Sequence, residues 1–205
     1  MNAGDGPSDE LMDARDDALA TIFGPEDETR IVSPIPYFLG GDPTILTFSK
    51  HLPGTIYCTS EMTGGWGSGQ RPGPLGEYEL AIVLKSGSRL GPQPTGHDHV
   101  LTKGWSGVLL SGYAKYSCEH VLKHGDTGGP LPPEFEPLRH ILFVEIGDGK
   151  LAFEFLRKRY GLLLMVLITE SEFEFKQKEG TDALLRCLRA AKIFPFSDPE
   201  RTSVV

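Results

Sequence analysis

The sequence predicts a mixed α/β domain in which strands and helices share one core, and three observations carry that prediction. Residues 162–169, LLLMVLIT, are apolar or β-leaning throughout, without alternation, as in a central strand covered on both faces. Residues 105–123 instead place their apolar side chains at helical spacing. Around these lie short β-leaning segments separated by Gly- and Pro-rich turns. The apolar run is too short to span a membrane.

Residues 1–8, small, polar and Gly-rich, are expected to form a disordered tail ahead of one domain over residues 9–205. From Ser8 the stretch SDELMDARDDALATIFG offers a serine cap, early acids that suit a helix N-terminus, and Gly24 near the stop. Leu11, Met12, Leu19, Ile22 and Phe23 supply its apolar side. Pro34, Pro36 and Pro43 then interrupt any helix, leaving residues 44–48 and 55–60 as short strands. Residues 64–76, GGWGSGQRPGPLG, read as an exposed loop whose only aromatic residue is Trp66. That ring either folds back over the core or offers itself to a ligand or partner. Residues 77–84, EYELAIVL, resume strand character, with Tyr78, Leu80 and Ile82 on one face and Glu77, Glu79 and Ala81 on the other.

A second loop, residues 86–99, leads into the helix over residues 105–123. Trp105, Val108, Leu109, Tyr113 and Tyr116 gather into one stripe, widened by Leu110, Ala114 and Val121, which is expected to pack on the sheet. His120 and His124 fall on the same side, and Gly125 stops the helix. Residues 140–146 and 151–156 flank the hairpin-like turn Gly147-Asp148-Gly149-Lys150, and residues 160–169 follow as a strand. Glu- and Lys-rich residues 170–180 carry a polar helix signal. Leu184, Leu185, Leu188 and Ala191 then form the apolar side of a last helix capped by Thr181 or Asp182.

Composition narrows the function. A chain of 205 residues, 39% hydrophobic, is long enough for one well-buried core and short for two. The formal charge of −8 belongs to the N-terminal segment, because the first thirty positions hold nine acidic residues and two basic ones. The body is nearly neutral and has no Lys/Arg cluster, so no nucleic-acid partner is expected. No basic amphipathic stretch suits an anionic membrane. Cys58, Cys118 and Cys187 lie far apart without a CxxC pair and read as free thiols of a reducing compartment. The acidic first twenty residues lack the basic start and apolar run of a secretory signal, which makes the cytoplasm the expected location.

Several motifs invite chemistry. The hexapeptide at residues 125–130, GDTGGP, differs by Thr for Ser from the nucleophile motif of trypsin-like proteases, but the histidine context TAAHC is absent and a long helix precedes it. A Gly-rich turn leaving that helix explains it. Metal ligation is better supplied. Cys118, His120 and His124 lie close in sequence, the two histidines are four apart, and His97-Asp98-His99 sits upstream. Against a metalloprotease, position 121 is Val where HExxH needs Glu next to its first His, and a helix C-terminus accounts for His124. Residues 64–76 lack the Lys-Ser/Thr ending of a phosphate loop. Glu77 and Glu79 share one side of a strand and could act as acid and base, although solvated strand residues are the commoner case.

The ordered set of GEYELAIVL, the Trp-led helix ending in His124-Gly125-Asp126-Thr127, HILFVEI, LLLMVLIT followed by acids, and the closing SDPERTSVV resembles the suppressor of fused domain over residues 30–205. The resemblance implies an α+β fold, a mixed, largely antiparallel central sheet flanked by helices, and a role in binding proteins rather than in catalysis. In the animal member a transcription-factor peptide is held in extended form, as an added strand between this domain and a second one. This chain is expected to carry no second domain. Single-domain bacterial members resemble immunity proteins that neutralise toxins, a task to which an acidic chain is suited.

The expected function is therefore a non-catalytic, cytoplasmic protein-binding module, an immunity, antitoxin-like or regulatory protein that needs no cofactor. Its exposed contacts are expected from Trp66, Glu77, Glu79, Asp126 and Thr127. The alternatives are a metal-dependent hydrolase using His97, His99, His120 and His124, with Asp98 or Asp126 in support, and a structural subunit of a larger assembly.

Overall fold

The computed structural model describes residues 9–50, 52–64, 70–72, 74, 76–90, 104–145, 153–155 and 157–205. The strands are β1 (Ile45–Phe48), β2 (Gly54–Thr59), β3 (Tyr78–Lys85), β4 (Thr127–Gly128), β5 (His140–Glu145), β6 (Phe153–Phe155) and β7 (Lys158–Ile168). The helices are α1 (Asp9–Phe23), α2 (Gly104–Glu119), α3 (Glu170–Glu179) and α4 (Thr181–Ala190). Among the described residues the strands form one sheet in the order β1-β2-β3-β7-β5-β4, with β6 paired to the start of β7. Among the pairings of the described strands, β3–β7 alone is parallel.

The apolar run seen in the sequence is the middle of β7, between β3 and β5. Leu163, Met165 and Leu167 face one layer, and Leu162, Leu164, Val166 and Ile168 the other, none more than 1% exposed. Both faces of the sheet are covered, which is why the run does not alternate. On the first face lie Leu109, Leu110 and Ala114 of α2, with Tyr37, Met62, Leu131, Phe135 and Leu138. On the second lie Leu19 and Phe23 of α1 and Leu184, Leu185 and Leu188 of α4, joined by Phe173 and Phe175 of α3. Each fully buried large side chain contributes roughly 1.5–3 kcal/mol.

Local signals set several boundaries. Gly24, at φ +86°, ends α1 with its N–H on the Ala20 carbonyl at 2.9 Å. Thr169 and Glu172 form a reciprocal capping box at the start of α3. The closing segment crosses the second face as a strut. The Ser197 N–H donates to the Val83 carbonyl (2.7 Å), and its hydroxyl accepts from the Leu167 N–H (3.0 Å). Arg201 grips the fully buried Glu172 with both terminal nitrogens, Nη2 to Oε2 at 2.6 Å. The SDPERTSVV ending is thus a structural fastening.

Four sequence expectations change. The helix predicted over residues 105–123 stops at Glu119, because Leu122 turns back into the core and donates its N–H to the Tyr78 hydroxyl (3.4 Å). Val108, Tyr116 and Val121, placed in its packing stripe, are nearly half exposed. Leu109, Leu110 and Ala114 of that stripe do pack on the sheet, joined by Ser106, Gly107, Ser111 and Ser117, whose small size a hydrophobicity wheel undervalues. Among the described residues, 140–145 and 153–155 of the expected hairpin do not pair with each other. β5 pairs along β7 from His140↔Ile168 to Glu145↔Leu163, and β6 folds onto the start of β7 instead. The last helix is capped at Gly180, without a side-chain bond from Thr181 or Asp182, and Ala191 is exposed. The expected tail of residues 1–8 and the turn at residues 147–150 lie outside the described residues.

Candidate functional site

The two edges of the sheet differ. Beside β1, the chain before it closes the edge: the Asp27 N–H bonds the Thr47 carbonyl (2.8 Å), and Ile31 and Ile45 exchange both backbone bonds. At the other edge, β4 pairs with β5 through Thr127↔Leu142 and Gly128↔Ile141, and no described strand covers its outer side. An unpaired edge is a template for another chain unless it is blocked.

Beside β4 runs a groove of about 670 Å³, between that strand and α2. Leu109, Leu122 and Phe143 form its floor, and the half-exposed Val108, Tyr116 and Val121 stand along its wall. Tyr113 lies between wall and strand, its ring edge-on to Phe143 at 5.1 Å. Its hydroxyl lies so close to β4 that a Cβ on Gly128 would fall 2.0 Å from it, so glycine is what admits the ring. Burial pushes the Tyr113 phenol up, with the neighbouring Tyr116 adding to it, so the hydroxyl keeps its proton near neutral pH. Asp126 and Thr127 line the same groove, half-buried, as does Lys176 of α3. The Asp126 carboxylate accepts the Lys123 N–H at 3.0 Å and holds the turn that delivers β4. Among the described residues lining the groove, no nucleophile is hydrogen-bonded to a base.

Of the expected contacts, Asp126 and Thr127 therefore come together in one groove. Glu77 and Glu79 do not join them. Glu79, expected on an exposed strand face, is fully buried, because β3 is an inner strand covered on both faces. Its carboxylate accepts four hydrogen bonds, from the Met62 and Thr63 amides and the Thr59 and Thr63 hydroxyls, at 2.5–3.0 Å. Loss of hydration pushes the Glu79 carboxyl up, against the lowering influence of Arg15 and those hydroxyls. Glu77 is half-buried. It accepts the Gly64 N–H at 2.9 Å and pairs with Lys158 at 3.2 Å. Both glutamates thus anchor residues 59–64 to β3. Trp66 lies outside the described residues.

The proposed metal ligands do not converge. His97, His99 and Asp98 lie outside the described residues. His120 follows the end of α2 and stacks on Tyr116, ring centroids 4.3 Å apart. His124 Nδ1 accepts the Glu145 N–H at 3.2 Å. With the helix ended at Glu119, the four-residue spacing no longer sets the two imidazoles on one helical face. Among the described residues no three His, Cys, Asp or Glu side chains could share an ion. Cys58, Cys118 and Cys187 are free thiols, and no described helix is long and apolar enough to cross a membrane.

Sequence reasoning missed Tyr113, Tyr116, Val108, Val121 and Gly128 as groove residues. The exposed aromatics three apart on α2 were visible, but their exposure follows from the small-residue face that turns toward the sheet.

Solved structures share this architecture. The chain resembles the crystal structure of the Sufu–Fu complex, with a TM-score of 0.70 and 16% identity over 94% of this chain and 91% of that one. A suppressor of fused homolog from Neisseria gonorrhoeae is similar at a TM-score of 0.59 and 16% identity, covering 95% of this chain and 98% of its own. Drosophila Suppressor of Fused matches at a TM-score of 0.66 and 17% identity, over 94% of this chain and 51% of the fly protein. No curated protein matches the sequence. The sequence profile of the family described as Suppressor of fused protein (SUFU) matches residues 56–202, which span β2 to the C-terminal fastening. With most of its length matched and both faces of its sheet accounted for, the chain belongs to the suppressor of fused family.

Proposed function

We propose that this protein is a non-catalytic protein-binding module that takes up an extended segment of a partner along the outer side of β4, with the partner's side chains seated in the groove beside α2. The observation that carries this reading is the open β4 edge bordering a half-exposed apolar groove. Strand addition supplies main-chain hydrogen bonds, and a flanking apolar groove supplies side-chain selection. The similar Sufu–Fu structure is that of a protein complex, which supports a protein as the occupant. Asp126 and Thr127 would contact the partner, with Trp66 and the outer side of Glu77 as further contacts.

The partner we favour is a basic protein, such as a toxin neutralised in the cytoplasm of the producing cell. The acidic first thirty positions support it, since complementary charge speeds capture.

Tyr116→Ala tests the groove. The side chain is nearly half exposed, so the melting temperature should change little, as for surface substitutions within about 0.5 kcal/mol. Affinity for the partner purified from host lysate should fall about tenfold or more, as expected for a groove aromatic. Unchanged affinity would remove the groove from the interface.

A further inference from the structure

A second cavity, of about 430 Å³, opens on the other side of the molecule between α1 and the segment that closes β1. Met12, Val32, Pro36 and Phe38 give it apolar walls. Set among them is Glu61, half-buried, whose carboxylate accepts the Thr44 hydroxyl (2.6 Å) and the Tyr37 N–H (3.2 Å). Each of its oxygens keeps room for a further donor, and among the described residues no Lys, Arg or His pairs with it. The two cations of the lining are committed elsewhere. Arg30 holds Asp16 (2.8 Å) and Glu26 (2.7 Å), and Arg15 lies against Asp16 at 3.6 Å. Even so, loss of hydration keeps the Asp16 and Glu26 carboxyls above their ordinary range. Asp13, one turn before Asp16 on α1, and Glu28 are exposed and likewise meet no cation among the described residues. The cavity is thus apolar in its walls and short of positive charge.

We propose that this surface is a second protein-docking site, which takes a Lys or Arg side chain set in an apolar segment of a partner, its head on Glu61 and its stem along the cavity walls. The inference rests on the reading of this chain as a protein-binding module and not on the β4 edge. Apolar flanks are called for by the rim, where Val32 (66% exposed), Ile35, Phe38 and Leu39 (67%) leave four large apolar side chains in water over one short segment. Covering that rim takes water from Glu61, and a carboxylate buried without a counter-charge is costly. A purely apolar occupant incurs that cost, and an acidic one adds repulsion. A cation removes it, and a long aliphatic stem suits walls made of Met12, Val32 and Phe38. Ile35 and Leu39 lie beyond the cavity lining, so a small organic cation held inside would leave them uncovered, whereas a chain segment passing over the rim covers them.

A phage-displayed random heptapeptide library selected on the full chain tests this, followed by synthetic copies of the enriched peptides. The proposal expects Lys or Arg between apolar residues. Their affinity should fall about tenfold or more in Leu39→Ser and in Glu61→Gln, and should be unaffected by Tyr116→Ala. Leu39 is mostly solvated, so its variant keeps the fold, which a melting curve verifies. Replacing the peptide's Lys or Arg by norleucine should weaken binding to the unaltered chain but change little in Glu61→Gln, a coupling that a merely structural Glu61 would not produce. Enriched peptides that lose affinity only in Tyr116→Ala would belong to the β4 groove, leaving that reading in place and overturning this one. Three further results overturn it: acidic or uncharged central positions, an equal cost of norleucine in both chains, or no enriched peptide at all. A dimer in sedimentation that Leu39→Ser dissociates would give the surface to a second copy of the chain and overturn it as well.

Discussion

Glu79 shows how a residue read as a surface contact becomes a structural anchor. Alternation along β3 correctly set Glu79 on the face opposite Tyr78 and Leu80, but its burial depends on α1 and residues 59–64 closing over that face. Alternation identifies a face and says nothing of what covers it. The carboxyl is raised above the ordinary 4.5 chiefly by burial, so the folded state holds its proton more tightly than the unfolded chain does. The contribution of this group to stability therefore grows as pH falls through its folded pKa toward 4.5, and levels off below. Urea titrations across that range should show a pH-dependent component in the native protein that is absent from Glu79→Gln. The readout is the slope, since the amide of Gln also turns one acceptor into a donor facing other donors. Equal slopes in the two proteins would contradict the assignment.

At the scale of elements, the fastening of the C-terminal segment to α3 is concentrated in Arg201 and Glu172. Glu172 is fully buried, caps α3, and accepts from Arg201 and the Val204 N–H (3.1 Å). Removing the cation leaves a buried carboxylate without its counter-charge, which costs about 3–5 kcal/mol. Arg201→Ala should lose stability on that scale in urea unfolding, whereas a loss below about 1 kcal/mol would show the pair to be dispensable. The polar helix signal of residues 170–180 is α3, whereas the Thr169–Glu172 capping box that starts it went unread at the end of the strand run. α2 was legible as a helix, and Leu109, Leu110 and Ala114 as residues of its packing side, but the face is shifted from the predicted stripe because Ser106, Ser111 and Ser117 meet the core through size rather than hydrophobicity. That shift leaves Val108 and Tyr116 free to wall the groove.

For the whole molecule, the central strand and the two-sided core could be read from residues 162–169, since a short, unbroken, β-leaning apolar run is what a strand covered on both faces carries. The groove could not. Its edge, β4, is two residues long and has no periodicity to detect, and it lies at the end of the described sheet because β5 pairs with β7 on one side and with β4 on the other. Asp126 and Thr127 were selected as residues of an exposed turn, and the sheet order is what gives them a groove. Among the described residues one edge is closed by the chain before β1 and the other is uncovered at β4, which leaves that side for an added strand. The central claim is that a partner segment is added there, and amide hydrogen exchange of the chain with and without its purified partner tests it most directly. The account predicts that exchange at Thr127 and Gly128 slows on binding, together with protection around Tyr113 and Tyr116. Slowed exchange confined to other segments, with the amides of β4 unchanged, would contradict it.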